Sequence, residues 1–251
     1  MRNARFLQKG TKATYGREAQ TGIVGQVKWR RAALAGMVLV WLGLLAGPVQ
    51  GQDDRQATFF MGRIRYSAND GNDCGTAGSD LLKLVSRAST LKIQEEHRLR
   101  LTDPALFDTP FVFMNGHNDF VLSDAELDAL RVYLAKGGFY FASGCCTRPD
   151  FPVAWRREFS RIFPGESVKA LPYDHLIYRS FYKIEKVRCL HVAKDIRLEG
   201  LFYQGRLVAV MCEEGLCCAF SMANRCNEGK GVSPDDGQKL ALNIAVFALT
   251  H

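Results

Sequence analysis

The segment Gly137–Cys146, GGFYFASGCC, constrains the fold of this chain more than any other. Its run from Phe139 to Ala142 is apolar at every position, which is the pattern of a short strand buried on both faces in a sheet covered by helices. An amphipathic helix precedes it. Ser123 and Glu126 form a capping box, Leu122 and Leu127 staple the entry, and Leu127, Leu130, Val132, Tyr133 and Leu134 supply a buried side. Gly137 then ends the helix as a C-terminal cap. A helix, a tight turn and a buried strand make the repeating unit of an α/β fold with a parallel sheet, and ligands gather beyond the carboxyl ends of such strands. Cys145 and Cys146 stand at that address.

The remaining elements follow the same alternation. Thr58 to Tyr66 reads as a first strand, followed by a polar, glycine-rich loop and a helix capped by Ser79, with Leu81, Leu82, Leu84, Val85 and Ala88 at helical spacing. A second strand is expected near Arg98 to Leu101. A third spans Phe111 to Met114 and ends at Asn115, Gly116 and His117. Val153 to Ile162 reads as an arginine-bearing helix, and Asp236 to Leu249 as a closing one. Between them, Leu198–Tyr203, Leu207–Met211 and Leu216–Phe220 read as antiparallel strands. The pattern predicts a three-layer α/β sandwich with a mainly parallel sheet flanked by helices and a later antiparallel β excursion. Residues 52–251 form one domain, without an internal repeat or a low-complexity linker.

Residues 1–51 have a different character. A basic leader ending in Lys28, Trp29, Arg30 and Arg31 runs into the apolar stretch Ala32–Ala46 and then into Gly47, Pro48 and Gly51, the order of an export signal. At about 15 residues the stretch is shorter than the roughly 20 of a spanning helix. The segment is therefore read as a cleaved signal or, if uncleaved, a tilted membrane anchor. Either way the positive leader stays inside and the domain is exported, to be periplasmic or membrane-anchored.

The net charge of +7 belongs to this leader, because residues 1–31 hold eight Lys or Arg against one Glu. The rest carries 25 basic and 25 acidic groups, so no basic face remains to argue for nucleic acid as a partner.

Eight cysteines, Cys74, Cys145, Cys146, Cys189, Cys212, Cys217, Cys218 and Cys226, all lie beyond the leader. In an oxidising compartment that even number reads first as disulfides. Cys212, Cys217, Cys218 and Cys226 lack the paired CxxC spacing of a structural zinc site, so the disulfide reading is preferred for them. No metal and no cofactor is expected. If the strands ending at Met114 and Ala142 are parallel neighbours, His117 shares a rim with Cys145 and Cys146, the minimal arrangement of a thiol nucleophile and its base. Asp119, Asp174, His175 and Arg156 are further rim candidates. Asp119 or Asp174 would orient an imidazole, His175 would complete the rim, and Arg156, with Arg157, would clamp a carboxylate or phosphate or form an ion pair with Glu158 or Asp150. The competing reading of Asp174 is the cap of a one-turn helix.

The blocks RIRY, LTDPALFDTPFVFMNGHNDF, GGFYFASGCC, WRREFSRIFP, LPYDHLIYRSFY and ALNIAVFALT occur in order across residues 58–250, and together they resemble the bacterial domain of unknown function 4159 family. The resemblance implies a relative of the class I glutamine amidotransferase fold. It also implies a membrane-associated exported protein, and no established reaction. The turn after Gly144 lacks the GxCxG elbow of an amidotransferase. The expected function is a binding or accessory module of a cell-envelope assembly, with envelope proteins or a small ligand at the rim as partners. The alternative is a thiol-dependent hydrolase or amidotransferase-like enzyme using Cys145 or Cys146 with His117.

Overall fold

The computed structural model describes residues 58–66, 74–221 and 230–251. The expectations for residues 1–51, and the loop over 67–73, lie outside the described residues. Among the described residues, no helix is long and apolar enough to cross a membrane.

Two wholly buried strands, β5 (Phe111–Gly116) and β6 (Phe139–Gly144), lie at the centre. They pair in parallel, in register from Phe111 opposite Phe139 to Gly116 opposite Gly144. Because side chains alternate across a strand, Phe111, Phe113, Phe139 and Phe141 face one layer while Val112, Met114, Tyr140 and Ala142 face the other. Both faces are covered, which is why the runs Phe111–Met114 and Phe139–Ala142 are apolar throughout.

Seven strands complete the sheet in the order β4-β2-β5-β6-β9-β8-β7. Of these, β2 (Gly62–Ile64), β4 (His97–Leu99), β5, β6 and β9 (Arg206–Cys212) run parallel. The hairpin partner β8 (Glu199–Tyr203) and the two-residue β7 (Lys169–Ala170) are antiparallel additions at one edge. A separate parallel pair joins β1 (Thr58–Phe59) to β3 (Lys92–Ile93). On one face pack α1 (Ala77–Ala88), the short α4 (Leu216–Phe220) and α5 (Pro234–Thr250). On the other pack α2 (Asp124–Ala135) and α3 (Asp150–Phe159). The mainly parallel sandwich expected from the sequence is the observed architecture.

Local signals around α2 hold in detail. Ser123 Oγ accepts the Glu126 amide at 3.3 Å and Glu126 Oε2 accepts the Ser123 amide at 2.9 Å, a complete capping box. At the other end the amides of Gly137 and Gly138 reach back to the carbonyls of Leu134 and Tyr133, the two bonds of a Schellman cap.

Other expectations are corrected. The single strand over Thr58–Tyr66 is two, because β1 pairs with β3 while β2 changes partners to β4 and β5. Ser79 does not cap α1; the helix starts at Ala77, and the Ser79 hydroxyl donates to the Thr76 carbonyl. The helix expected from Val153 begins three residues earlier, since Pro152 falls in its first turn, where no amide donor is needed. Leu216–Phe220 is a helix rather than a strand. Its five residues are all buried, so burial carries no period, and Gly215 at φ 63° turns the chain so that its carbonyl accepts the amides of Cys218 and Ala219. The antiparallel excursion is correspondingly smaller, because β9 lies against β6 as the fifth parallel strand.

The order of the strands creates a crevice. The chain leaves β2 for the edge strand β4 and then returns across it to β5, so the connections diverge beyond the carboxyl ends of β2 and β5, where doubly wound sheets hold ligands.

Candidate functional site: a thiol-lined rim

Three loops at that rim bring four cysteines together. Cys74 stands on the connection from β2 to α1, Cys145 and Cys146 follow β6, and Cys218 lies in α4, just beyond β9. The Sγ atoms of Cys74 and Cys145 are 3.0 Å apart, those of Cys74 and Cys218 3.2 Å, and those of Cys145 and Cys218 3.9 Å. Cys146 Sγ lies 3.9 Å from Cys145 Sγ and 3.8 Å from Cys218 Sγ. All four lie within 4.8 Å of one another.

Local backbone structure fixes these positions. The Cys145 amide donates to the Gly116 carbonyl at 2.9 Å, continuing the β5–β6 pairing by one residue. Cys74 (φ 39°), Cys146 (φ 54°) and Thr147 (φ 60°) then adopt left-handed backbone, a conformation costly for residues with a Cβ and concentrated at functional sites. The Cys146 amide points at Cys218 Sγ, 3.3 Å away. Gly144 allows the approach of α4. A Cβ there would lie 2.6 Å from the Glu213 carbonyl oxygen, so only glycine lets the chain after β9 close on the end of β6. The Cys217 amide completes the contact by donating to Ser143 Oγ at 2.9 Å.

No disulfide joins the described cysteines, which corrects the expectation that most are paired; Cys226 lies outside the described residues. Of Cys212, Cys217 and Cys218, which share the late stretch of the chain with Cys226, Cys218 is one of the four, and Cys217 Sγ lies 3.9 Å from its sulfur. Cys212, the last residue of β9, is fully buried, and burial pushes its thiol up to about 12. Burial also opposes ionisation of Cys217. The sulfurs of Cys145, Cys218 and Cys74 and the Ser143 hydroxyl outweigh that, holding its thiol well below the ordinary value.

His117 is on the same rim, buried directly after β5. Cys145, which follows β6, is fully buried, with Asn115 Nδ2 3.9 Å from its sulfur. Asp119 is exposed and bound at 2.9 Å to Arg157, whose hydrogen bond draws its carboxyl below the ordinary range. Arg156 is held by Glu199, whose two carboxylate oxygens lie 2.7 and 2.5 Å away, and by Glu213. Lys194 continues the alternation, reaching Glu213 at 2.9 Å and Glu214 at 2.7 Å. These charges border a cavity of about 330 Å³ lined by Lys194, Arg197, Glu199, Glu213 and Glu214. Apart from Arg156, sequence reasoning missed this group, because Lys194 and Arg197 precede β8, Glu199 opens it, and Glu213 and Glu214 follow β9.

Asp174 is not the cap of the one-turn helix. His175 is, its Nδ1 accepting the Ile177 amide at 3.2 Å. His175 also packs against Phe247, whose ring meets Phe139 at the amino-terminal start of β6. That places it at the opposite end of the sheet from Cys145.

Burial holds the His175 ring below its ordinary pKa, against the opposing charge of Asp174. A histidine depressed in this way contributes stability above its unfolded value, about 6.5, and loses it as pH falls through the folded value. The denaturant midpoint is therefore expected to fall between pH 7.5 and pH 5, and His175→Asn to flatten that slope. An unchanged slope in the variant would remove the linkage.

A family model, that of a domain of unknown function (DUF4159), matches residues 61–249. No curated protein matches the chain. Among solved structures, a ThuA-like protein from Bacteroides uniformis is similar at 11% identity and a TM-score of 0.38, over 76% of this chain and 91% of that one.

Proposed function

Given that the chain belongs to the DUF4159 family, a domain of unknown function, we propose that it is a non-catalytic binding or accessory module of a bacterial cell-envelope assembly. Its architecture is class I glutamine amidotransferase-like, and its ligand or protein partner meets the rim at the carboxyl ends of the parallel strands. The basic leader and apolar stretch before residue 52 support export, with the membrane engaged through that segment if it stays uncleaved.

The full burial of Cys145 among other sulfurs carries the non-catalytic reading. A nucleophilic thiol needs both a low pKa and a path to substrate, and Cys145 has no exposed surface to offer one. The charged rim groups are likewise engaged with one another, Arg156 with Glu199 and Glu213, and Lys194 with Glu213 and Glu214. A partner exchanging into that network would be recognised by several paired charges rather than by one reactive atom.

Only Cys146, which is half-buried, favours the alternative of a thiol-dependent hydrolase. Intact-mass alkylation of the native chain without reductant separates the two readings. The module reading expects Cys189 to be labelled while Cys145 and Cys146 are protected. Selective, fast labelling of Cys145 or Cys146 near neutral pH, ahead of Cys189, would establish the enzyme reading instead.

A further inference from the structure

We propose that Cys74, Cys145, Cys146 and Cys218 are the four ligands of a single tetrahedral zinc ion that ties three loops of the rim together. Zinc bound by four thiolates has Zn–S distances of about 2.3 Å, which sets the sulfur–sulfur edges of the tetrahedron at about 3.8 Å. Three of the sulfur–sulfur separations, 3.8, 3.9 and 3.9 Å, match that edge. The other two given, 3.0 and 3.2 Å, both involve Cys74 and require its sulfur to retreat by less than 1 Å, about the span from 3.0 to 3.8 Å. Since all four atoms lie within 4.8 Å, the space suits one ion and not a polynuclear cluster.

Disulfide pairing explains the convergence less well. A bridge needs two sulfurs about 2.05 Å apart, and pairing gives no reason for four thiols from three loops to share one centre. Four soft thiolates in tetrahedral array select zinc among the common divalent ions, with iron as the competitor. The left-handed backbone at Cys74 and Cys146 aims both side chains inward at a conformational cost that a coordinate bond offsets. The Cys146 amide, 3.3 Å from Cys218 Sγ, supplies the outer-shell N–H donor that thiolate ligands commonly receive. Four protein ligands fill the tetrahedron and leave no open position for water or substrate, so the ion is structural.

A second group, Cys189, His191 and Glu214, is a poorer candidate. It offers three ligands, and Lys194 already lies 2.7 Å from the Glu214 carboxylate. It provides the internal control.

The test uses the full chain purified without chelator or reductant. Elemental analysis is expected to find about one zinc per chain, and cobalt(II) replacement to give the sulfur-to-metal charge-transfer band and visible ligand-field bands of a tetrahedral thiolate site. Cys146→Ser, at the least buried ligand, should weaken metal retention at least tenfold and alter the cobalt spectrum, whereas Cys189→Ser should change neither. X-ray absorption on the unaltered protein, expected to show a sulfur-only shell at about 2.3 Å, decides the matter should the serine variant not fold. Three results would overturn the proposal: a metal-free protein whose peptides link two of the four cysteines by disulfide, zinc lost with Cys189→Ser but kept with Cys146→Ser, or iron in place of zinc.

Discussion

Replacing Arg157 and Arg161 together with alanine is expected to lower the unfolding free energy by about 3–5 kcal/mol, the cost of leaving a buried carboxylate without its cations. The carboxylate is Glu158, 1% exposed on the inner side of α3. It accepts Arg157 Nε at 2.7 Å, Arg161 Nη1 and the Leu122 amide at 3.2 Å. Both arginines keep more than two-fifths of their side-chain surface in water, so either rehydrates readily when released. Glu158 has no such recourse. The loss therefore falls on the acid, and adding Glu158→Gln to the double variant should recover part of it, because a neutral amide is cheaper to bury. Urea unfolding of the three proteins measures both steps. A loss below about 1 kcal/mol in the double variant would show that water reaches Glu158.

Phe141→Ala is expected to cost a similar 3–5 kcal/mol for a different reason. Phe141 is fully buried in the middle of β6, stacked 4.9 Å from the Phe113 ring and close to Phe111 and Phe220. Truncation removes transfer energy and leaves a cavity between the sheet and α4, which cannot collapse without moving β6. Phe141→Leu keeps most of the volume and should cost less than about 1.5 kcal/mol. Against a total stability of about 5–15 kcal/mol, the alanine variant loses a large share. Because Phe220 lies two residues beyond Cys218, the same cavity loosens α4, and Cys218 should become easier to alkylate in the alanine variant. A shifted midpoint with unchanged denaturant sensitivity and unchanged Cys218 labelling would confine the damage to the core.

The parts of the fold legible in the sequence are those set by local chemistry. Ser123 with Glu126, the Gly137–Gly138 stop and the apolar runs of β5 and β6 each act within a few residues, and each is found as expected. Leu216–Phe220 was not legible, because a five-residue buried segment has too few turns to show a period. The position of Cys145 and Cys146 beyond a parallel strand was legible. Their partners were not, since Cys74 is 71 residues before Cys145 and Cys218 is 73 after it, and only the strand order brings those loops side by side. His175 shows the converse error. A histidine beside an aspartate suggests chemistry, yet its ring nitrogen satisfies a backbone amide at the far end of the sheet.

The two margins of the seven-stranded sheet have a consequence for how this molecule meets others. One margin is β4, three residues carrying Arg98, and the other is β7, two residues carrying the exposed Lys169. Short, cationic margins offer an incoming strand few consecutive backbone groups and an unfavourable charge to cross. Fibril growth and strand-donating partners are thereby discouraged, and any stable complex must be built from side chains rather than by lengthening the sheet.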